Sequence, residues 1–217
     1  MVVFVPVVDV RAAGHSDGMG TKQGSISLRE LQEQQDADPV YQAMRRARDR
    51  ELAEIADLRR QEQQPLLNDL SSVGIVVASV CDLCSLADPD ARIYPILLDH
   101  LTKPHPPWLL EWIGRAFGRK TARPLVWDTL INLIKSHALE ERASVGVMAA
   151  ISDMSQPRDL EVLIDLLSDH SIGASRIFLV SNLMRSKRPA ARAALLQQQD
   201  DPDLTIEIRA RLARSRS

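Results

Sequence analysis

The chain is short of several things that would define other classes of protein. Of its 217 residues only 4% are aromatic, which disfavours an aromatic-rich sandwich or barrel and favours helices packed through Leu, Ala and Val. There are two cysteines, Cys81 and Cys84, too few for a disulfide scaffold and in keeping with a reducing compartment. No apolar run approaches the ~18 residues of a membrane span, and the opening stretch Met1 to Asp9 lacks basic residues ahead of its apolar part. A cytoplasmic protein with no membrane partner is expected. The 27 basic and 29 acidic side chains leave a formal charge of -2, so no global electrostatic attraction to nucleic acid exists.

What is present describes an ordinary globular chain. Hydrophobic residues make up 45% and charged residues 26%, enough to bury a sizeable core. Residues 1–25 combine a Val-rich stretch broken by Pro6 with a glycine cluster from Gly14 to Gly24, an extended or flexible entry segment. Residues 26–214 form one helical domain, of which 26–64 supply N-terminal helices and 65–214 a repeat array. Ser27 and Glu30 have the spacing of a capping box, predicting a short helix to about Gln35. Asp38-Pro39 restarts a helix, and the stretch from Val40 to Gln64, free of Gly and Pro, predicts one long amphipathic helix closed by Pro65. Its Arg45, Arg46, Arg48 and Arg50, followed by Glu51, Glu54 and Asp57, read as a solvated face. Residues 73–78 are β-branched and undecided between strand and helix, while Ser79 caps a predicted helix to about Leu86.

From Ala91 onward the chain is periodic. Leu97, Leu130, Leu163 and Leu196 lie 33 residues apart, as do Leu101, Ile134 and Leu167. One helix later run Val80, Ile113, Gly146, Leu179 and Leu212, with Cys84, Phe117, Ala150 and Leu183 beside them. Such a period holds two helices of about a dozen residues plus turns. Prolines punctuate it, predicting pairs over 91–103 and 107–118, 123–136 and 139–153, 157–168 and 172–186, and 189–199 and 203–214. The expected fold is all-α, an α-solenoid of about four to five helix pairs.

The segments Ile93 to Leu101 with Trp108 to Gly118, and Leu160 to Leu167 with Ile172 to Leu183, resemble HEAT-like helical repeats, as do Arg176 and Arg209, one period apart in second helices. Ala143 stands where those two have Arg. The resemblance spans about residues 91–214 and implies a curved scaffold that binds another protein.

Motifs for chemistry are weak. Gly18, Gly20 and Gly24 miss the dinucleotide spacing, and Thr21-Lys22 inverts the order of a phosphate loop. Cys81 and Cys84 form C-x-x-C, which reads either as two small buried hydrophobes or, if placed at a helix N-terminus, as a redox pair. Four spaced Cys/His ligands for structural zinc are missing, and no metal or cofactor is expected. His100, His137 and His170 fall near the ends of first helices, where the helix dipole favours a cation. Residues 185–217 hold eight Lys/Arg against four acids, which suits a polar capping repeat and also phosphate contact.

The most suggestive cluster is on one helix. Trp108, Arg115 and Arg119 point about 160° away from the Leu110, Ile113 and Phe117 column. Met148, Arg185 and Arg214 occupy related positions in later pairs, and Trp112 lies between this face and the inter-repeat core. Exposed Trp and Arg are the usual anchors of protein interfaces. The expected function is therefore a non-catalytic scaffold, adaptor, regulator or immunity-type inhibitor that binds a protein through Trp108, Trp112, Arg115, Arg119, Met148, Arg185 and Arg214. The rival is a HEAT-like enzyme on DNA, resembling alkylpurine DNA glycosylases in having Trp108, Trp112 and Trp127 with a basic C-terminal repeat, where Glu111 or Asp128 would supply the carboxylate.

Overall fold

The computed structural model describes residues 27–86 and 89–214, so the expected N-terminal extended segment lies outside the described residues. Among those described, the chain is all-helical and has no strand. Its elements are α1 (Leu28–Ala37), α2 (Pro39–Ser72), α3 (Val80–Leu83), α4 (Ile93–Leu101), α5 (Pro107–Ala116), α6 (Arg123–Lys135), α7 (Glu141–Met154), α8 (Leu160–Ser168), α9 (Ile177–Arg185), α10 (Pro189–Gln197) and α11 (Thr205–Arg214). The chain divides into two units, Met1–Arg59 and Arg60–Ser217.

In the first unit local chemistry decides the helices. Ser27 and Glu30 form the expected capping box at α1, each satisfying the other's free backbone N–H. The Asp38 carboxylate accepts from the Val40 and Tyr41 amides at 2.8 and 3.3 Å and so starts α2. The charged residues from Arg45 to Asp57 are exposed.

The second unit begins with a correction. Pro65 does not close α2, which runs on to Ser72. A proline inside a helix forfeits one hydrogen bond and costs about 3 kcal/mol. Leu66 and Leu70, both fully buried, offset this by about 1.5–3 kcal/mol each. Residues 73–78 are neither strand nor helix but a turn and an irregular link, with Gly74 at φ 83°. Ser79 and Asp82 form a second capping box, and α3 that follows ends at Leu83, short of the expected Leu86.

Beyond α3 the predicted pairs appear within a few residues of their expected bounds. Three first helices pack on their own partners, α4 on α5, α6 on α7 and α8 on α9, whereas α10 packs on α8 and α9; each second helix meets the next, in the order α3, α5, α7, α9, α11. Leu97, Leu130 and Leu163 are buried, with Leu101, Ile134 and Leu167 behind them. The fourth Leu departs: Leu196 is 38% exposed while Leu195 is 1% exposed, because α10 turns Ala191, Ala194 and Leu195 to the core. The columns of the second helices, Val80, Ile113, Leu179 and Leu212 with Phe117, Ala150 and Leu183, are all buried.

Two features tie neighbouring pairs together. At the α5 and α7 crossing Gly114 and Gly146 oppose each other, and a Cβ on Gly146 would sit 2.2 Å from the Glu111 carbonyl oxygen. Backbones meet there without intervening side chains. Buried ion pairs do the rest: Arg123 donates to Asp159 at 2.7 Å, and Arg176, 1% exposed, donates to both oxygens of Asp201 at 2.9 and 3.2 Å. Arg209, its counterpart one period later, makes only an exposed pair with Asp200.

Candidate interaction surface

The residues expected to form one binding stripe divide into three groups. Trp108, Arg115 and Arg119 are half-buried and engaged by neighbouring helices. Trp108 donates its indole N–H to Glu62 Oε2 of α2 at 2.5 Å. Arg115 donates to Glu111 at 3.0 Å and stacks its guanidinium 5.5 Å from the centre of the Phe178 ring on α9. Arg119 donates to the Cys84 carbonyl, closing the C-terminus of α3. Trp112 is also half-buried and packs against the core. The helical wheel gave α5 a single buried stripe; the helix in fact touches α3, α4 and α7, so its opposite face is a packing face too.

Met148 is a plain correction. It is fully buried and cannot belong to a surface. All six residues from Gly146 to Ile151 are buried, a run longer than one helical turn, so α7 has no outward stripe at this level.

Arg185 and Arg214 are exposed. Arg185, at the end of α9, donates to Asn182 Oδ1, and Asn182 in turn donates to the Ser152 carbonyl of α7 at 2.8 Å. Beside it lies a cleft of about 360 Å³ between the start of α8 and the α9–α10 link. Its wall is apolar, from Pro157, Leu160 and Leu163, and its rim carries Arg185, Lys187 and Arg188. Across Lys187 and Arg188 a second cleft of about 340 Å³ adds Arg192. Two acidic side chains act on these cations: Glu161 accepts from Arg188 at 3.0 Å, and the Arg185 charge acts on Asp153. Lys187 and Arg188 were visible in the sequence as part of a basic repeat, but nothing there indicated that they border a cavity.

Of the groups considered for catalysis, Asp128 is exposed on α6, and several others have structural partners. The Glu111 carboxylate is held by Arg115 and, at 3.4 Å, by Arg142. Trp127 is covered by the Arg123 guanidinium, 3.8 Å from the ring centre. Ser171 Oγ lies 3.2 Å from His137 Nε2 beside another cleft. Its proton, however, goes to the Asp169 carboxylate, whose pKa the Ser171 hydrogen bond lowers. Ser171 then accepts from His137 N–H, a polarity opposite to that of a base activating a nucleophile.

Cys81 and Cys84 are free and half-buried. Burial and the neighbouring Cys81 push the Cys84 thiol up, against the opposing pull of Arg119 and Arg115. Cys84 caps the C-terminus of α3, so the helix dipole does not favour its thiolate. Among the described residues no group of three or more His, Cys, Asp or Glu side chains is placed to hold a metal, and no helix is long and apolar enough to cross a membrane. No protein-family model, curated protein or solved structure matches the chain.

Proposed function

We propose that the protein is a non-catalytic binding scaffold of the HEAT-like solenoid type, an adaptor, regulator or immunity-type inhibitor, and that its partner is a protein segment bearing carboxylates. The succession of packed second helices, with α5, α7 and α9 each backed by a first helix, supports the solenoid. The free cysteines support a reducing, cytoplasmic setting.

The observation that carries the reading is the cleft beside α8. Apolar walls below a rim of Arg185, Lys187 and Arg188 suit a peptide that inserts an aliphatic side chain and sets flanking Asp or Glu against the cations. The binding surface thus moves from Trp108, Arg115 and Arg119 to Arg185, Lys187, Arg188 and the adjoining Arg192. Co-purification with mass spectrometry identifies the partner. An Arg185→Ala, Lys187→Ala double variant should weaken its binding by about 2 kcal/mol, roughly 30-fold, without lowering Tm. Unchanged affinity with the isolated partner would sink this surface, and capture of oligonucleotide in place of protein would sink the partner class.

A further inference from the structure

At the opposite end of the helix array, α2 holds the α4–α5 connection with two carboxylates. Glu62 and Asp69 lie seven residues apart, two turns along one helix face. Glu62 accepts from Trp108, at the start of α5. Asp69 Oδ2 lies 2.9 Å from Nε2 of His100, in the last turn of α4, and Nδ1 of His100 lies 2.9 Å from Nε2 of His105, in the connection itself. The His100 side chain is only 2% exposed, so both its nitrogens depend on these partners.

Proton counting restricts this chain of groups. With Asp69 ionised, His100 Nε2 must carry a proton to donate to it. Between the two rings there is room for one proton. Either His105 Nε2–H donates to a neutral His100, or, once the pair has taken up one proton, an imidazolium at His100 donates to the bare Nε2 of His105. Both forms keep the 2.9 Å bond. A second proton would put N–H on both facing nitrogens, and the bond would become a repulsion between cations.

We propose that His100 and His105 form a proton-operated latch on the α4–α5 connection, closed by one shared proton and opened by a second. The charged groups that face the pair are Asp69 from α2, Asp99 from α4 and Lys103 from the connection. Asp69 faces Nε2 of His100, the nitrogen turned away from His105. Lys103 is paired with Asp99 and adds positive charge against the second. Burial, then the His100 and Lys103 charges, depress the pKa of His105. The sign follows: His105 stays neutral in the closed form at pH values where a free histidine is protonated. Opening therefore takes up a proton and is favoured as pH falls below about 6.5. Release would loosen the start of α5, with Trp108, from α2.

Amide hydrogen exchange of the full chain tests this, read as protection relative to the intrinsic rate at each pH over residues 102–110. Opening gains up to about tenfold per pH unit for each proton taken up, so protection should fall roughly tenfold or more between about pH 7 and pH 5. His105→Gln offers a non-titrating amide N–H to His100 Nδ1 and should lose less than about threefold over the same range. Equal losses in both proteins, or a constant protection in the wild type, would overturn the latch. Should the Gln variant fail to fold, imidazole NMR on the wild type decides: two separated titration steps are expected, the lower one accompanied by a changed His100 Nδ1 environment. A single unsplit step at the ordinary histidine pH refutes it.

Discussion

Replacing Gly146 with Ala would normally stabilise a helix, and here it should do the reverse. In mid-helix the change gains about 0.5–1 kcal/mol from reduced backbone entropy. Against that stands the α5–α7 contact, where the new Cβ would lie 2.2 Å from the Glu111 carbonyl oxygen and 3.0 Å from the Gly114 Cα. Both are backbone atoms, so no side chain can swing aside. Restoring an ordinary separation of about 3.5 Å requires the helices to part by more than about 1 Å, and a gap of 0.5–1 Å already forfeits a quarter to a half of each dispersion contact. Ile113, Phe117, Val147 and Ala150, all fully buried, lie at this level of the two helices and would share the loss. Overpacking costs about 1–3 kcal/mol, and contact with backbone on both sides places Gly146→Ala at the upper end. The net is a loss of about 2 kcal/mol, read in urea as a lower midpoint at unchanged slope. The thermal midpoint should fall by roughly 4–8 °C. Gly114→Ala, whose Cβ would meet the Val147 nitrogen at 2.7 Å, should behave alike. The double variant should cost less than the sum, since helices already separated admit the second methyl more easily. A Gly146→Ala variant as stable as the wild type, or more so, would refute the close crossing.

Leu130→Ala and Leu163→Ala should each lose about 2–5 kcal/mol in chemical denaturation, because both side chains are buried and leave cavities; losses under about 1 kcal/mol would show the register to be wrong. Asp201→Asn should cost about 3 kcal/mol near neutral pH by leaving Arg176 poorly paired in the core. Desolvation opposes ionisation of Asp201, but hydrogen bonds from Arg176 and the Asp203 amide, with the Arg176 charge, hold its pKa below the usual value. The wild-type advantage should therefore be complete above about pH 4 and shrink as pH falls through the lowered pKa; an advantage that persists undiminished at pH 2 would contradict the pairing. Cys84 should react with a thiol probe more slowly than an unfolded-chain cysteine at neutral pH, its pKa being raised chiefly by burial; equal rates before and after unfolding would show that the site is not protected.

The sequence by itself determined the helices and their order. Capping residues Ser27, Asp38 and Ser79, the prolines between segments and the apolar columns are local or periodic signals, and each acts within a turn or two of the chain. The same logic failed where distant partners outweighed local preference: Pro65 sits inside α2 because Leu66 and Leu70 bury beyond it, and Leu196 yields its place to Leu195. Tertiary structure alone decided which faces are free. A helical wheel contrasts one face with another but cannot count how many neighbours a helix will have. Thus α5 and α7 absorbed Trp108, Arg115, Arg119 and Met148 into packing, while Arg185 and Arg214 stayed outside. Gly146 stood in the sequence as one member of a Leu column, and only the opposing Gly114 shows why no side chain fits there. His100, His105 and Asp69 are separated by 5 and 31 residues, and no spacing rule joins them. Their alignment exists because α2 lies against the end of α4, a contact fixed by the packing of Leu66 and Leu70 into the common core.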